Sequence, residues 1–325
     1  MTVQRRFFSR PADVTAESCQ RTFQCRFLLR ADPTLNSRLV GILARAQKAH
    51  GVYVHAFATM SSHVHVLATY ADAESMALFH CYLFSNLSKE VTRVHGWDGT
   101  VFPKRYSHVE LSREEEIEQA RLKYVLGQGC KEGLVASPLD WPGASSTEAL
   151  VSGEMVMKGT WVDRTRLSKA RAKGREVKEE DFTSEETLVL TPLPCLAHLS
   201  RESYRRFVLG LVRQIEEETE AKHKVDGTCP LGPEAVLAMK PRWRPLQVKE
   251  SPRPWFFAFS EDWHKAMSAA MTAILLAYET AAEKLKKIDW KDPDRGSKLT
   301  EIRFPAGTFP SKLPFVREEV PLRPG

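Results

Sequence analysis

The chain has 325 residues and a mass of 36.8 kDa; 42% of its residues are hydrophobic and 27% charged, and the mean hydropathy is −0.34. Such values suit a soluble globular chain of one large domain or two ordinary ones, and they exclude bulk disorder and fibrous repeats. Forty-seven Lys and Arg against forty-one Asp and Glu give a net charge of +6 and a pI near 8.9, which permits a nucleic-acid partner without requiring one.

The first 20 residues read as a basic segment. Within residues 1–30, six Arg face only Asp13 and Glu17, an excess that could follow a phosphate backbone or simply be a solvated end. No apolar stretch follows Arg5 and Arg6, so no secretory signal is expected. The longest nearly apolar run, residues 266–278, falls short of the ~20 residues of a membrane helix and is interrupted by Ser268 and Thr272. The expectation is a cytoplasmic chain with no membrane partner. Cysteines at 19, 25, 81, 130, 195 and 229 form no CxxC pair, so neither a zinc ribbon nor a disulfide framework is indicated.

Residues 21–30 alternate with period 2, setting Phe23, Cys25, Phe27 and Leu29 on one face of an expected first strand. Leu35, Leu39, Ile42, Leu43 and Ala46 then recur at helical spacing, with Gly51 as the stop. Strands over 52–58 and 63–70, joined by Met60-Ser61-Ser62, make a hairpin. Asp72 or Ser75 caps a helix whose apolar positions are Met76, Phe79, Leu83, Leu87, Val91 and Val94. After the Gly96/Asp98/Gly99 loop comes a strand over 106–111, and Ser112 with Glu115 forms a capping-box pattern for one more helix. The order βαββαβ plus a helix predicts an α+β, ferredoxin-like antiparallel sheet with an added C-terminal helix. Residues 21–150 are thus one unit, 151–200 a charged linker, 201–290 a helical extension with helices over 201–224 and 261–288, and 291–325 a Pro-rich tail.

Chemistry is concentrated at His63-Val64-His65. On a strand, i and i+2 point the same way, so both imidazoles leave one face and form a natural divalent-metal chelate, although a half-exposed strand can also carry two histidines without a metal. In the helix over 113–128, Leu122, Val125 and Leu126 form the densest apolar face, while Ile117, Arg121, Tyr124 and Gln128 lie together on another. By periodicity Tyr124 is therefore either a rim tyrosine or a functional one. His50, His80 and His95 read as ordinary helix residues, and His55 sits on the strand next to the histidine pair. Trp243, Trp255 and Trp263, interleaved with Lys240, Arg242, Arg244 and Arg253, read as a small core under a Pro-rich loop or as base-stacking residues.

Two strings carry a resemblance. Ala56-Phe57-Ala58-Thr59-Met60-Ser61-Ser62-His63-Val64-His65-Val66-Leu67 resembles the histidine–hydrophobe–histidine strand of the single-tyrosine transposases, and more narrowly of the REP-associated tyrosine transposases. Lys123-Tyr124-Val125-Leu126-Gly127-Gln128-Gly129-Cys130-Lys131-Glu132-Gly133-Leu134-Val135, with Pro138 and Trp141-Pro142 behind it, is similar to the tyrosine segment of the same family, and Arg105-Tyr106 matches the residues before its last strand. The resemblance spans about residues 20–147. Gln128-Gly129-Cys130 stands where that family has Asn-Pro-Val, and Ser61-Ser62 where it has Pro-Asn; the wider single-tyrosine family also uses Gln as its third metal ligand.

The resemblance implies a single-strand DNA endonuclease and strand transferase. His63, His65 and Gln128 would hold Mg²⁺ or Mn²⁺, and Tyr124 would attack the scissile phosphate to give a 5′-phosphotyrosine. The implied partner is single-stranded DNA beside a hairpin or palindromic repeat, with assembly as monomer or homodimer left open. Arg105, Lys104, Arg26, Arg30 and Arg121 are candidate phosphate contacts. A phenol of pKa about 10 is ionised to roughly one part in a thousand at neutral pH, so the metal or a neighbouring group must activate it, and Arg121 is a candidate aid. The alternative is a domesticated DNA-hairpin-binding protein that keeps the fold without turnover.

Overall fold

The structure, a computed structural model, describes residues 8–10, 12–246 and 254–305. In chain order its elements are β1 (Val14–Arg21), α1 (Pro33–His50), β2 (Tyr53–Met60), β3 (His63–Tyr70), α2 (Ala73–His95), β4 (Ser107–Leu111) and α3 (Glu115–Leu126). Beyond these come α4 (Gln128–Lys131), α5 (Thr147–Ser152), β5 (Val156–Val162), α6 (Arg164–Ala172), β6 (Thr183–Val189), α7 (Arg201–Asp226), α8 (Pro233–Leu237), β7 (Phe256–Phe257), α9 (Glu261–Lys286) and α10 (Arg295–Thr300). The fold is mixed α+β. Its sheet has the order β2-β3-β1-β4-β7, antiparallel throughout except that β7 lies parallel to β4, and β5 and β6 form a separate hairpin.

The first strand is Val14–Arg21, not residues 21–30. It is an inner strand covered on both faces; residues 14–18 are all buried, but Thr15, Glu17 and Ser18 among them are polar, so the apolar run expected of such a strand is missing. In the expected stretch, residues 23–25 form a tight turn in which Gln24 and Cys25 take φ of 51° and 54°. Adjacent Leu28 and Leu29 are both buried, which a strand with one solvated face does not allow. The sheet therefore begins inside the segment expected to be a basic lead.

Local chemistry sets several boundaries. Asp32 accepts the Leu35 N–H at 3.1 Å with Pro33 opening α1, and Gly51 closes that helix at φ 60°. Asp72 accepts the Ser75 N–H at 2.7 Å to start α2. The expected capping box does not form at α3: Ser112 Oγ donates to Glu114 instead, and Glu114 is drawn away to receive the Phe259 and Ser260 N–H groups at the start of α9.

Alternation along β3 separates the two faces of the sheet. Tyr70 packs against Phe79 and His80 of α2, and His80 also bonds Ser18 Oγ, which places α2 on the face shared by Val64 and Val66. Helix α1 lies beside α2. His63 and His65 leave the opposite face, where α3 lies with Leu122, Val125 and Leu126 buried beneath it.

Residues 151–200 are not a bare linker. The β5–β6 hairpin packs on α1 so closely that Gly41 and Gly159 meet backbone to backbone, and a Cβ at Gly159 would fall 2.4 Å from the Gly41 nitrogen. The charges that suggested a linker form an ion-pair network in which Arg164 bonds both Glu90 of α2 and Glu179, with Arg38 also on Glu179 at 2.8 Å. Nor does the extension stand apart. Tyr204, Val208, Leu211 and Ile215 of α7 join the main core, each burial contributing roughly 1.5–3 kcal/mol. Of the expected extended tail, Arg295–Thr300 is a helix, Ile302 and Phe304 pack on α9, and residues 306–325 lie outside the described residues.

Candidate active site

The antiparallel register of β1 against β3 pairs Arg21 with His63, Cys19 with His65 and Glu17 with Leu67, so all six side chains belong to one face. The His63 and His65 rings stand 4.9 Å apart, centroid to centroid, at 79° to one another. Helix α3 lowers Tyr124 onto this pair, its ring 5.8 Å from that of His65. The chain then bends at Gly127, and Gln128, 2% exposed, comes beside the His63 ring while its Nε2 donates to the Tyr124 carbonyl at 2.8 Å. Segments about 60 residues apart in sequence thus meet at one point on the sheet.

Each of the three candidate ligands has one polar atom held by a partner behind it. His65 Nδ1 is held at 2.7 Å by Glu17, and its Nε2 lies 3.8 Å from Cys19 Sγ, the contact a metal ion would replace; a carboxylate behind a ligating imidazole is the usual device for fixing ring and tautomer. His63 Nδ1 lies 3.1 Å from Ser62 Oγ, leaving its Nε2. Because the Gln128 amide nitrogen is spent on Tyr124, its oxygen faces inward. Burial, with the nearby positive charges of His65, Arg21 and Lys131, pushes the His63 pKa well below its ordinary value, so this ring is a neutral donor. For His65 burial acts the same way, but Cys19 and then Glu17 outweigh it and raise the pKa, so a metal ion would replace the second ring proton. Among the described residues no group of three or more His, Cys, Asp or Glu is set to hold a metal. The donor set here is instead two imidazoles and a carboxamide, a mixture that fits a divalent ion of intermediate to hard character completed by phosphate oxygen and water.

Two cations bracket Tyr124. Arg121, one turn before it on α3, lies 4.0 Å over the ring and is fixed from behind by Glu17, so one carboxylate orients both His65 and Arg121. Lys131 donates to the phenolic oxygen at 3.1 Å. The tyrosine hydroxyl therefore carries a positive charge at hydrogen-bond distance on the side open to solvent, where Lys131 is exposed.

The other expected residues are spread around this centre. Arg121 is largely buried by Glu17 and Phe257 rather than displayed. Lys104 and Arg105 are exposed in the loop before β4, with the Lys104 carbonyl accepting from Gln20 at 2.7 Å. Arg26 and Arg30 lie further off and bond main-chain carbonyls of the extension, Arg242 at 2.6 Å and Leu237 at 3.1 Å. His55 is sequestered by Thr191 and Thr69 and lies away from the pair. Gly129 has a local reason: a Cβ there would meet Val135 at 2.8 Å and Trp141 at 3.0 Å. Trp141 in turn donates its indole N–H to the Thr59 carbonyl at 2.9 Å, latching this loop to β2.

Glu17 and Lys131 are the residues that sequence reasoning missed. Lys131 had a signal, since seven positions after Tyr124 is two helical turns on one face. Glu17 had none while its strand was placed at 21–30.

No protein-family model and no curated protein matches the chain. Among solved structures it is similar to a REP-associated tyrosine transposase bound to a REP hairpin, at 16% identity and a TM-score of 0.37 over 47% of this chain and 86% of that one. It is also similar to a candidate transposase from Deinococcus radiodurans R1, at 15% identity and a TM-score of 0.26 over 36% of this chain and 91% of that one.

Proposed function

We propose that the protein is a transposase-like single-strand DNA endonuclease and strand transferase that cleaves through Tyr124, with Mg²⁺ or Mn²⁺ held by His63, His65 and Gln128. One observation carries the reading: Tyr124 and Gln128 descend from α3 and α4 onto the two imidazoles of β3, each with its donor atom oriented from behind. The strand order β2-β3-β1-β4, with α1 and α2 as the crossovers, supports taking the sheet as ferredoxin-like.

When bound, the metal ion supplies Lewis-acid polarisation of a non-bridging phosphate oxygen. The chain's own groups do the rest. The Tyr124 oxygen attacks phosphorus, a phosphorus–oxygen bond forms, and the bond to the 3′-oxygen breaks, leaving a 5′-phosphotyrosine and a free 3′-hydroxyl. Lys131 places its ammonium at hydrogen-bond distance from the phenolic oxygen, which gives its proton to solvent as it attacks, and so sets a positive charge beside the reacting atom. Arg121, locked by Glu17, holds the ring from its face. The departing 3′-oxygen takes a proton from solvent, and reversal of the same steps by another 3′-hydroxyl joins a strand without ATP.

The test uses labelled single-stranded oligonucleotides with palindromic hairpins from the gene's flanks, with and without Mn²⁺, beside Tyr124→Phe. A denaturant-resistant, metal-dependent adduct absent from the variant is the expected result. Tight hairpin binding with no adduct would replace the reading with that of a DNA-hairpin-binding protein, and cleavage by Tyr124→Phe would replace it with metal-dependent hydrolysis.

A further inference from the structure

Beyond α7 the chain returns to the rim of the candidate site. Leu231 and Gly232 donate their N–H groups to the carbonyls of Gly133 and Leu134, at 3.0 and 2.9 Å, just after the segment that carries Gln128. Met239 then reaches Ser61 in the turn that precedes His63, with 3.8 Å between Sδ and Oγ. The carbonyl of Trp243 accepts the Phe27 N–H at 2.8 Å. Residues 231–243 thus form a strap from one side of the site to the other.

Trp243, at the end of this strap, is 52% exposed. Its two companions in the sequence are used differently: Trp255 packs on Met271 and Ile274, and Trp263 lies beside the Arg10 guanidinium at 5.9 Å. Cations surround the exposed indole. Lys240 is 5.9 Å from its ring, and Lys240, Arg242 and Arg244 are all exposed. Arg26 links this group to a second tryptophan, since it bonds the Arg242 carbonyl and its guanidinium lies 5.8 Å over Trp97. Arg26 is held by the Gln24 amide oxygen, at 3.0 and 3.2 Å, and among the described residues no ion pair joins Arg26, Lys240, Arg242 or Arg244 to a carboxylate. The exposed Trp243 indole, with half-buried Trp97 beneath Arg26 beside it, stands among such cations and matches what each nucleotide of a single strand offers, a stackable base and a phosphate.

We infer that Trp243, with Trp97 and the cations Arg26, Lys240, Arg242 and Arg244, forms a stacking platform for the single-stranded DNA that flanks the scissile phosphate. The inference rests on reading the site as a single-strand DNA nuclease, and it gives the extension a part in substrate binding. The platform tracks backbone and base faces, so it is tolerant of sequence.

The experiment measures anisotropy of a labelled, hairpin-free oligothymidine of about 16 nucleotides with the full chain in EDTA, so that cleavage plays no part. Trp243→Ala raises Kd about tenfold and Trp243→Phe about threefold or less. The triple variant Lys240→Ser, Arg242→Ser, Arg244→Ser flattens the slope of log K against log salt by about 2, from roughly 0.7 per phosphate contact. An unchanged Kd for Trp243→Ala overturns the platform. The covalent-adduct assay run in parallel separates the two ideas: adduct formation with an unchanged Trp243→Ala affinity removes the platform alone. Weakened Trp243→Ala binding with no wild-type adduct removes the nuclease reading alone.

Discussion

Glu17→Gln probes the site through a residue that touches neither substrate nor ligand. The Glu17 carboxylate accepts the hydrogen bond of His65 Nδ1–H at 2.7 Å and also holds Arg121, with 6% of its side chain exposed against 7% and 16% for its partners. Removing it as Ala would strand a largely buried guanidinium, a loss of about 3–5 kcal/mol and a large share of a domain's stability. Gln keeps the shape and one good acceptor oxygen, so it forfeits one charge-assisted hydrogen bond, about 2 kcal/mol. With its Nδ1 partner weakened, the His65 ring loses its fixed orientation, and Mn²⁺ affinity falls about 10- to 100-fold. Urea unfolding gives the first quantity, and titration of free Mn²⁺ by electron paramagnetic resonance gives the second. A variant that loses stability yet binds Mn²⁺ as the wild type does would refute the orienting role, and one unchanged in both would refute the argument entirely.

Further expectations follow from other contacts. Lys131→Met removes the ammonium from the phenolic oxygen and slows adduct formation about 100-fold, while Lys131→Arg recovers part of the rate; equal rates for all three proteins would show that Lys131 is a bystander. Gly159→Ala forces a Cβ to within 2.5 Å of the Ser37 carbonyl oxygen as well as against Gly41. It should destabilise the chain by about 3 kcal/mol, and a urea midpoint equal to that of the wild type would contradict the close packing of the hairpin on α1. Burial alone would raise the Glu114 pKa, but hydrogen bonds from Ser112, Ser260 and Phe259 outweigh it and hold the group at about 2. Because the folded value is the lower one, its stabilisation is present above the unfolded value near 4.5 and is lost as pH falls toward 2. The group is solvent-screened, so Glu114→Gln should cost about 1 kcal/mol at neutral pH and nothing near pH 2. A loss independent of pH would show that the charge is irrelevant to holding the start of α9.

Much of the first half is legible from residue order because the information is local. The hairpin needs only two apolar runs and the Ser61-Ser62 turn, and α1 and α2 need only their apolar period with the stop at Gly51 and the cap at Asp72. His63 and His65 share a face by the two-residue period of a strand, and Tyr124 and Gln128 share one by the helical period, so each half of the candidate site is visible on its own. That they meet is a matter of register and crossover, which local spacing does not contain. The first strand escaped for a related reason: β1 is buried on both faces but carries Thr15, Glu17, Ser18 and Gln20 among its buried residues, so no apolar run marks it, whereas the alternating stretch beside it is a turn with two positive-φ residues. Charge was a poor guide in residues 163–186, because Arg164 and Glu179 are satisfied by partners on other elements and not by water. The sequence by itself determined the elements, their faces and the residue types able to do the chemistry. Only the tertiary structure decided that Glu17 stands behind His65 and Arg121 and that the 231–243 strap closes on the same site, since those contacts join residues 48 to 216 positions apart and exist only once the sheet is paired.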